Sequence, residues 1–169
     1  MSSGGKLLSS ATTYNNKSIR LCSGVEILIE PAGWRDLQAV RTLEQEVYAQ
    51  DAYPFLEILG MLTLPGFIRK KAMAGSRLAG FIFAEGFSDP EHDWITAIRV
   101  SRDYQRCGIG TRLLLDSEQY LKKKSIRLCV RRSNQPAIQL YTKCGYRQIN
   151  LWEKYYHDGE DAIIMEKVR

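Results

Sequence analysis

The chain has 169 residues, 44% hydrophobic and 25% charged, which is the range of one compact globular domain that buries its core without a disulfide or metal. Its 24 Lys plus Arg against 19 Asp plus Glu give a formal net charge of +5, favouring anionic partners such as coenzyme phosphates or nucleic acid without choosing between them. The four cysteines (Cys22, Cys107, Cys129, Cys144) are widely spaced with only two histidines to join them, and no apolar run is long enough to span a membrane, so no metal and no membrane partner are expected, and a cytoplasmic protein with free thiols is.

Residues 1–23 are rich in Ser, Thr, Gly and Asn without periodicity, which predicts a flexible arm ahead of a single domain over 24–169. Val25-Glu26-Ile27-Leu28-Ile29-Glu30 reads as a strand ended by Pro31 and Gly33. The segment Trp34 to Tyr48 sets Leu37, Val40, Leu43 and Val47 on one helical face, and a shorter helix fits Phe55 to Leu62 after Pro54. Phe67 to Met73 and Leu78 to Gly86 flank Ala74-Gly75-Ser76 as a hairpin. Asp93 to Val100 is a further strand. Gly108 to Lys124 predicts a helix with Leu113, Leu114 and Leu121 inward, followed by a strand over Ile126 to Val130. Pro136 opens a last helix with Asn134 as its cap and Gly145 as its stop. Strands over Tyr146 to Leu151 and Asp161 to Lys167 close a mostly antiparallel mixed α/β domain.

The pair Gly108-x-Gly110 follows a strand and opens a helix. The first-turn N–H groups of such a helix lack intrahelical partners and point out of its end, where the dipole favours an anion. A third glycine for the dinucleotide fingerprint is missing, and so is a Gly-Lys-Ser/Thr for the triphosphate loop. Taken alone the pair is also explained by a tight helix start without a ligand.

The stretch Gln105-Arg106-x-Gly108-x-Gly110 after Ile98-Arg99-Val100 resembles the coenzyme A pyrophosphate loop of the GNAT superfamily of N-acetyltransferases. Ser133-Asn134-x-Pro136-Ala137-x-x-Leu140-Tyr141-x-x-x-Gly145-Tyr146 resembles the family's last helix. A third block, Tyr155-Tyr156-x-Asp158-Gly159-Glu160-Asp161-Ala162-x-x-Met165, is similar to protein N-terminal acetyltransferases, among them the ribosomal-protein alanine type. The resemblance implies a GNAT fold of the α/β (α+β) class, with a mostly antiparallel mixed sheet of about six to seven strands and helices on both faces. It implies acetyl-CoA as co-substrate and a protein or peptide N-terminus as acceptor, with ribosomal proteins among the candidates.

Residue by residue, the resemblance implies that Gln105, Arg106, Cys107, Gly108, Ile109, Gly110 and Thr111 hold the pyrophosphate and that Ile98, Arg99 and Val100 line the pantetheine. It gives Asn134 a bond to the coenzyme arm, and Tyr141 a place near the sulfur as general acid. Tyr53, Pro54 and Phe55 on one side and Tyr155 and Tyr156 on the other would flank the acceptor. Cys129 departs from the pattern, because bacterial alanine acetyltransferases carry a glutamate there and one eukaryotic class a histidine, each thought to be the base. A thiolate beside a thioester would itself be acylated, which leaves water relayed to Glu91, His92, Asp93 or His157 as the fallback.

An α-amine of pKa about 8 is roughly a tenth neutral at pH 7, whereas a lysine at about 10.4 is neutral to only about 0.04%. An N-terminal acceptor therefore tolerates a missing base better. Two rival readings stay open. One is acetylation of a small-molecule amine, and the other is a module that binds the acyl-coenzyme without turnover or lays its basic run from Lys122 to Arg132 on nucleic acid. Monomer and homodimer are both compatible with the sequence.

Overall fold

The computed structural model describes residues 17–20, 24, 26–48 and 51–169. Most of the expected arm, with Cys22, and Val25 at the start of the expected first strand lie outside the described residues. One part of the arm departs from expectation. Lys17–Arg20 is a strand, β1, paired antiparallel with β2 (Glu26–Pro31) from Lys17↔Ile29 to Arg20↔Glu26. Four residues are too few to show alternation against a polar background, so pairing with a neighbour's exposed edge decides it.

The remaining strands are β3 (Phe67–Ala74), β4 (Arg77–Glu85), β5 (His92–Val100), β6 (Ser125–Arg131), β7 (Arg147–Trp152) and β8 (Ala162–Val168). They form one sheet in the order β1-β2-β3-β4-β5-β6-β8-β7, which with β1 has one strand more than the sequence predicts. Every pairing is antiparallel except β5 with β6. The helices are α1 (Leu37–Val47), α2 (Phe55–Thr63), α3 (Ile109–Glu118) and α4 (Gln135–Lys143).

Strand alternation sends β4 side chains into two cores. Phe81 and Phe83 pack with Val40 and Leu43 of α1 and Ile58, Met61 and Leu62 of α2. Ile82 and Ala84 pack on the other side with Ile109, Leu113 and Leu114 of α3, Ile126 and Leu128 of β6 and Tyr141 of α4. Helices therefore cover both faces of the sheet, as expected.

Two helix boundaries moved for local reasons. Trp34–Asp36 is a 3-10 turn rather than the start of α1, with the Asp36 carboxylate accepting the Gly33 N–H at 2.9 Å. The helix expected to run to Lys124 ends at Glu118. Beyond it the buried Asp93 carboxylate accepts the N–H groups of Lys122 and Lys123, both at 2.8 Å, drawing the chain toward β5 while Leu121 stays in the core.

Candidate active site

Strands β5 and β6 pair only from His92↔Ser125 to Ile95↔Leu128. Beyond that rung Thr96–Val100 and Cys129–Arg131 diverge, leaving two inner edges whose N–H and C=O groups lack each other as partners. The start of α3 sits beyond the open end of this splay. Gly108, at φ +81°, is the residue before α3, and the first backbone bond of the helix is Arg112 N–H to Gly108 C=O at 3.0 Å. The N–H groups of Ile109, Gly110 and Thr111 precede that bond and form the anion-accepting end. Arg106, exposed and at φ +60°, stands at its rim, and Gln105 Nε2 ties the loop to the Val100 carbonyl at 3.2 Å.

The two glycines have different reasons. A Cβ at Gly108 would meet nothing, so this position needs glycine for its left-handed backbone. A Cβ at Gly110 would lie 2.9 Å from Leu140 Cδ1, so here glycine goes with the close approach of α3 to the Leu140 side chain of α4.

The loop residues differ in what they offer a ligand. Arg106, Gln105 and Gly108 are exposed and Cys107 and Thr111 half-buried, whereas the Ile109 side chain is core and leaves only its N–H for a phosphate. On β5, Ile98 and Val100 pack toward α3 and α4. Arg99 does not: its side chain is on the opposite face, paired with the buried Glu44 of α1 at 2.9 Å and 4.1 Å from the Tyr48 ring centroid. Only its backbone can line a coenzyme arm. Asn134 is also engaged within the chain, since Oδ1 accepts the Ala137 N–H at 3.2 Å and caps α4 while Nδ2 donates to the Tyr48 hydroxyl at 2.8 Å. Glu44 and Tyr48 were missed by the sequence reading, because a glutamate and a tyrosine late in an amphipathic helix look like ordinary surface residues.

Tyr141 faces inward from α4, buried against Tyr146 with ring centroids 6.0 Å apart. Burial pushes its phenol above the ordinary value, opposed by the Arg99 guanidinium. Cys129 is half-buried on β6, its thiol pushed up to about 11 by desolvation. At neutral pH about one such thiol in ten thousand is ionised, so this side chain does not replace the missing base. Of the fallback groups, Glu91 and His157 are exposed, His157 beside Tyr156 in the β7–β8 connection, and the other two are engaged in the fold. Asp93 is engaged with the Lys122 and Lys123 backbone. His92 pairs with Ser125, four residues before Cys129 on β6 and hence ~13 Å away along the strand.

Of the expected acceptor residues, Tyr53 reaches the splay, its hydroxyl donating to the Thr96 carbonyl at 2.9 Å. Pro54 and Phe55, which follow it in the chain, are exposed, and the Phe55 ring lies 5.9 Å from the Arg41 guanidinium of α1. Tyr155 and Tyr156, with ring centroids 5.2 Å apart, come from the β7–β8 connection, and each phenol is raised by burial first and by the neighbouring Cys129 second. Trp94 and Trp152 extend this aromatic row, at 6.3 Å from each other, with Trp152 5.4 Å from Tyr155. These aromatics flank the splay close to Cys129 and outline a candidate acceptor groove.

The basic run is largely engaged. Arg127 pairs with Glu166, Arg131 with Asp51, Asp158 and Glu160, and Arg132 with Asp161. Lys123 donates to the Gly86 carbonyl at 2.5 Å, and the exposed members are Lys122, Lys124 and Arg132. Among the described residues no three His, Cys, Asp or Glu side chains gather as a metal site, and no helix is long and apolar enough to cross a membrane.

The model of the acetyltransferase (GNAT) family matches residues 34–146. An uncharacterized N-acetyltransferase of Methanocaldococcus jannaschii is 35% identical over 145 residues, 83% of this chain and 91% of that protein. The chain belongs to the GNAT acetyltransferase family. As such it is an acetyl-CoA-dependent N-acetyltransferase. An N-alpha-acetyltransferase of Sulfurisphaera tokodaii is 43% identical over 75 residues, covering 42% of this GNAT chain and 45% of that protein. The solved ribosomal-protein-S18-alanine N-acetyltransferase of Escherichia coli superposes with a TM-score of 0.74 at 28% identity, over 84% of this chain and 93% of that one. Arabidopsis thaliana NAA60 in complex with acetyl-CoA shares the fold with a TM-score of 0.76 at 17% identity, over 85% of this chain and 99% of that one.

Proposed function

We propose that this GNAT enzyme acetylates the α-amine of a protein or peptide N-terminus by direct attack in a ternary complex with acetyl-CoA. One observation carries the reading: the candidate groove is flanked by Tyr53, Tyr155 and Tyr156, and the side chain close to it, Cys129, is a protonated thiol rather than a base. Aromatic walls with phenol tips suit an extended peptide backbone. With Cys129 where a carboxylate or imidazole would serve as base, an acceptor that arrives already neutral is favoured. The gap between an α-amine near 8 and a lysine near 10.4 is about 3.3 kcal/mol, which a lysine acceptor would have to recover through desolvation or a base.

Acetyl-CoA supplies the activated acyl group. The chain's own residues do the rest. The N–H groups of Ile109, Gly110 and Thr111, with Arg106, hold the pyrophosphate. Backbone N–H groups of β5 left free by the splay polarise the thioester carbonyl, as an oxyanion hole does. The neutral amine forms the new C–N bond, the C–S bond breaks, and the amine's surplus proton leaves to water. Tyr141, held protonated by burial, donates to the departing thiolate, and the Arg99 guanidinium favours the phenolate this leaves behind.

Relatives and neighbours whose names specify N-alpha or ribosomal-protein alanine acetylation support the same acceptor class. A small polyamine is less well served, because the carboxylates beside the groove, Asp51, Asp158 and Glu160, are already bonded to Arg131. The test is thiol release from acetyl-CoA with matched short peptides, one with a free N-terminus and no lysine, the other N-terminally blocked with an internal lysine. Turnover of the first alone is expected; turnover of only the second, or of neither, would overturn the proposal.

A further inference from the structure

Arg131 is two residues beyond Cys129 on β6 and so faces the same side of the sheet. Its guanidinium joins two segments far apart in sequence. Nε donates to Asp51 Oδ2 at 2.8 Å, and Nη2 contacts the same carboxylate. Nη1 donates to Asp158 Oδ2 at 2.9 Å and to Glu160 Oε2 at 2.6 Å. The flat of the guanidinium lies 3.9 Å from the Tyr156 ring centroid, and the side chain is only 11% exposed. Asp51 belongs to the α1–α2 connection, two residues before Tyr53; Asp158 and Glu160 belong to the β7–β8 connection that carries Tyr155 and Tyr156. Glu160 is further pinned by accepting the Ser133 N–H at 2.7 Å.

We infer that Arg131 is a positioning residue that sets the width of the acceptor groove by tying its two walls together. The inference rests on the groove being the acceptor site proposed above. Three carboxylates meet one cation here, so removing the guanidinium turns attraction into repulsion and drives the walls apart. Arginine suits the task where lysine does not, because one planar fork reaches carboxylates on both sides while its face stacks on Tyr156. Arg131 reaches neither the α3 terminus nor Tyr141, so its contribution belongs to acceptor binding and not to coenzyme binding or the chemical step.

The test compares the full-length enzyme with Arg131→Gln, Arg131→Lys and, as a control, Arg132→Gln, whose guanidinium is 65% exposed and pairs with Asp161. With a short alanine-first peptide as acceptor, Arg131→Gln raises the acceptor KM on the order of tenfold while kcat at saturating peptide stays within about threefold and the KM for acetyl-CoA is unchanged. Arg131→Lys recovers only part of the loss, and Arg132→Gln matches the parent. In hydrogen exchange of the free enzyme, Arg131→Gln exchanges faster over both 51–54 and 153–161 with 109–118 unaltered. A parental acceptor KM in folded Arg131→Gln, or a loss confined to kcat or to acetyl-CoA, overturns the inference. Should that variant fail to fold, Asp51→Asn and Glu160→Gln each release one wall and must show the same KM rise at smaller size; parental values in both overturn it. If the parent acetylates no peptide N-terminus, the acceptor reading fails, and the exchange of the two segments still decides the clamp.

Discussion

Cys129 changes what the pH dependence of this enzyme must look like. Its thiol, raised to about 11, stays protonated through the working range, and the Tyr141 phenol is held above its ordinary value by burial. A group with a raised pKa keeps its proton until the pH passes that raised value. Neither residue therefore loses its proton between pH 6 and pH 9, which leaves the acceptor's own amine as the titration to follow. We expect kcat/KM for a peptide acceptor to climb with pH and level off at about 8, the pKa of the α-amine, without a falling limb below about 10. The plateau should move with the acceptor's amine pKa, as measured with a series of peptides. Cys129→Ala should keep kcat within about threefold, whereas Cys129→Glu, which puts a carboxylate beside the groove, should lift the acid side of the profile. A large loss in Cys129→Ala would give the thiol a role that its burial argues against.

At the scale of elements, the start of α3 combines two demands that look alike in the sequence. Gly108 and Gly110 both read as an anion-binding signature, yet only Gly108 needs a left-handed backbone, while Gly110 makes room for Leu140 of α4. Gly110→Ala displaces only the end of the Leu140 side chain and gains helix propensity, so it should change thermal unfolding by less than about 1 kcal/mol, with or without coenzyme A. Gly108→Ala should cost about 1–2 kcal/mol from backbone strain and also weaken coenzyme A binding in calorimetry, because it distorts the loop that aims the N–H groups. This is where the sequence was legible and where it was not. Among the described residues, periodicity located seven of the eight strands and all four α-helices, since apolar spacing reports which face is buried. It could not show that Arg99 turns away to Glu44, or that Asn134 is held by Tyr48, because both depend on contacts 55 and 86 residues away along the chain.

At the scale of the molecule, the sheet has one protected end and one sharp interruption. Lys17–Arg20 covers the outer side of β2, which would otherwise be a bare edge. Removing residues 1–20 should lower the unfolding temperature by about 2–4 °C in a thermal melt, roughly the effect of 1 kcal/mol in a chain of this size, and leave the acetylation rate intact. An unchanged melt would mean that β1 adds nothing to stability. The interruption lies between β5 and β6, where hydrogen bonding stops after Ile95↔Leu128. Backbone donors and acceptors without partners are costly once water is excluded. Helices on both faces wall in this gap, so a second sheet cannot enter it and only a slender chain with its own amides can. Occupancy and folding are therefore linked by mass action: a ligand at a hundred times its dissociation constant adds about 2.7 kcal/mol to the native state. If the coenzyme fills the gap as proposed, saturating coenzyme A should raise the unfolding temperature, so that the enzyme's durability and its activity would draw on the same small molecule.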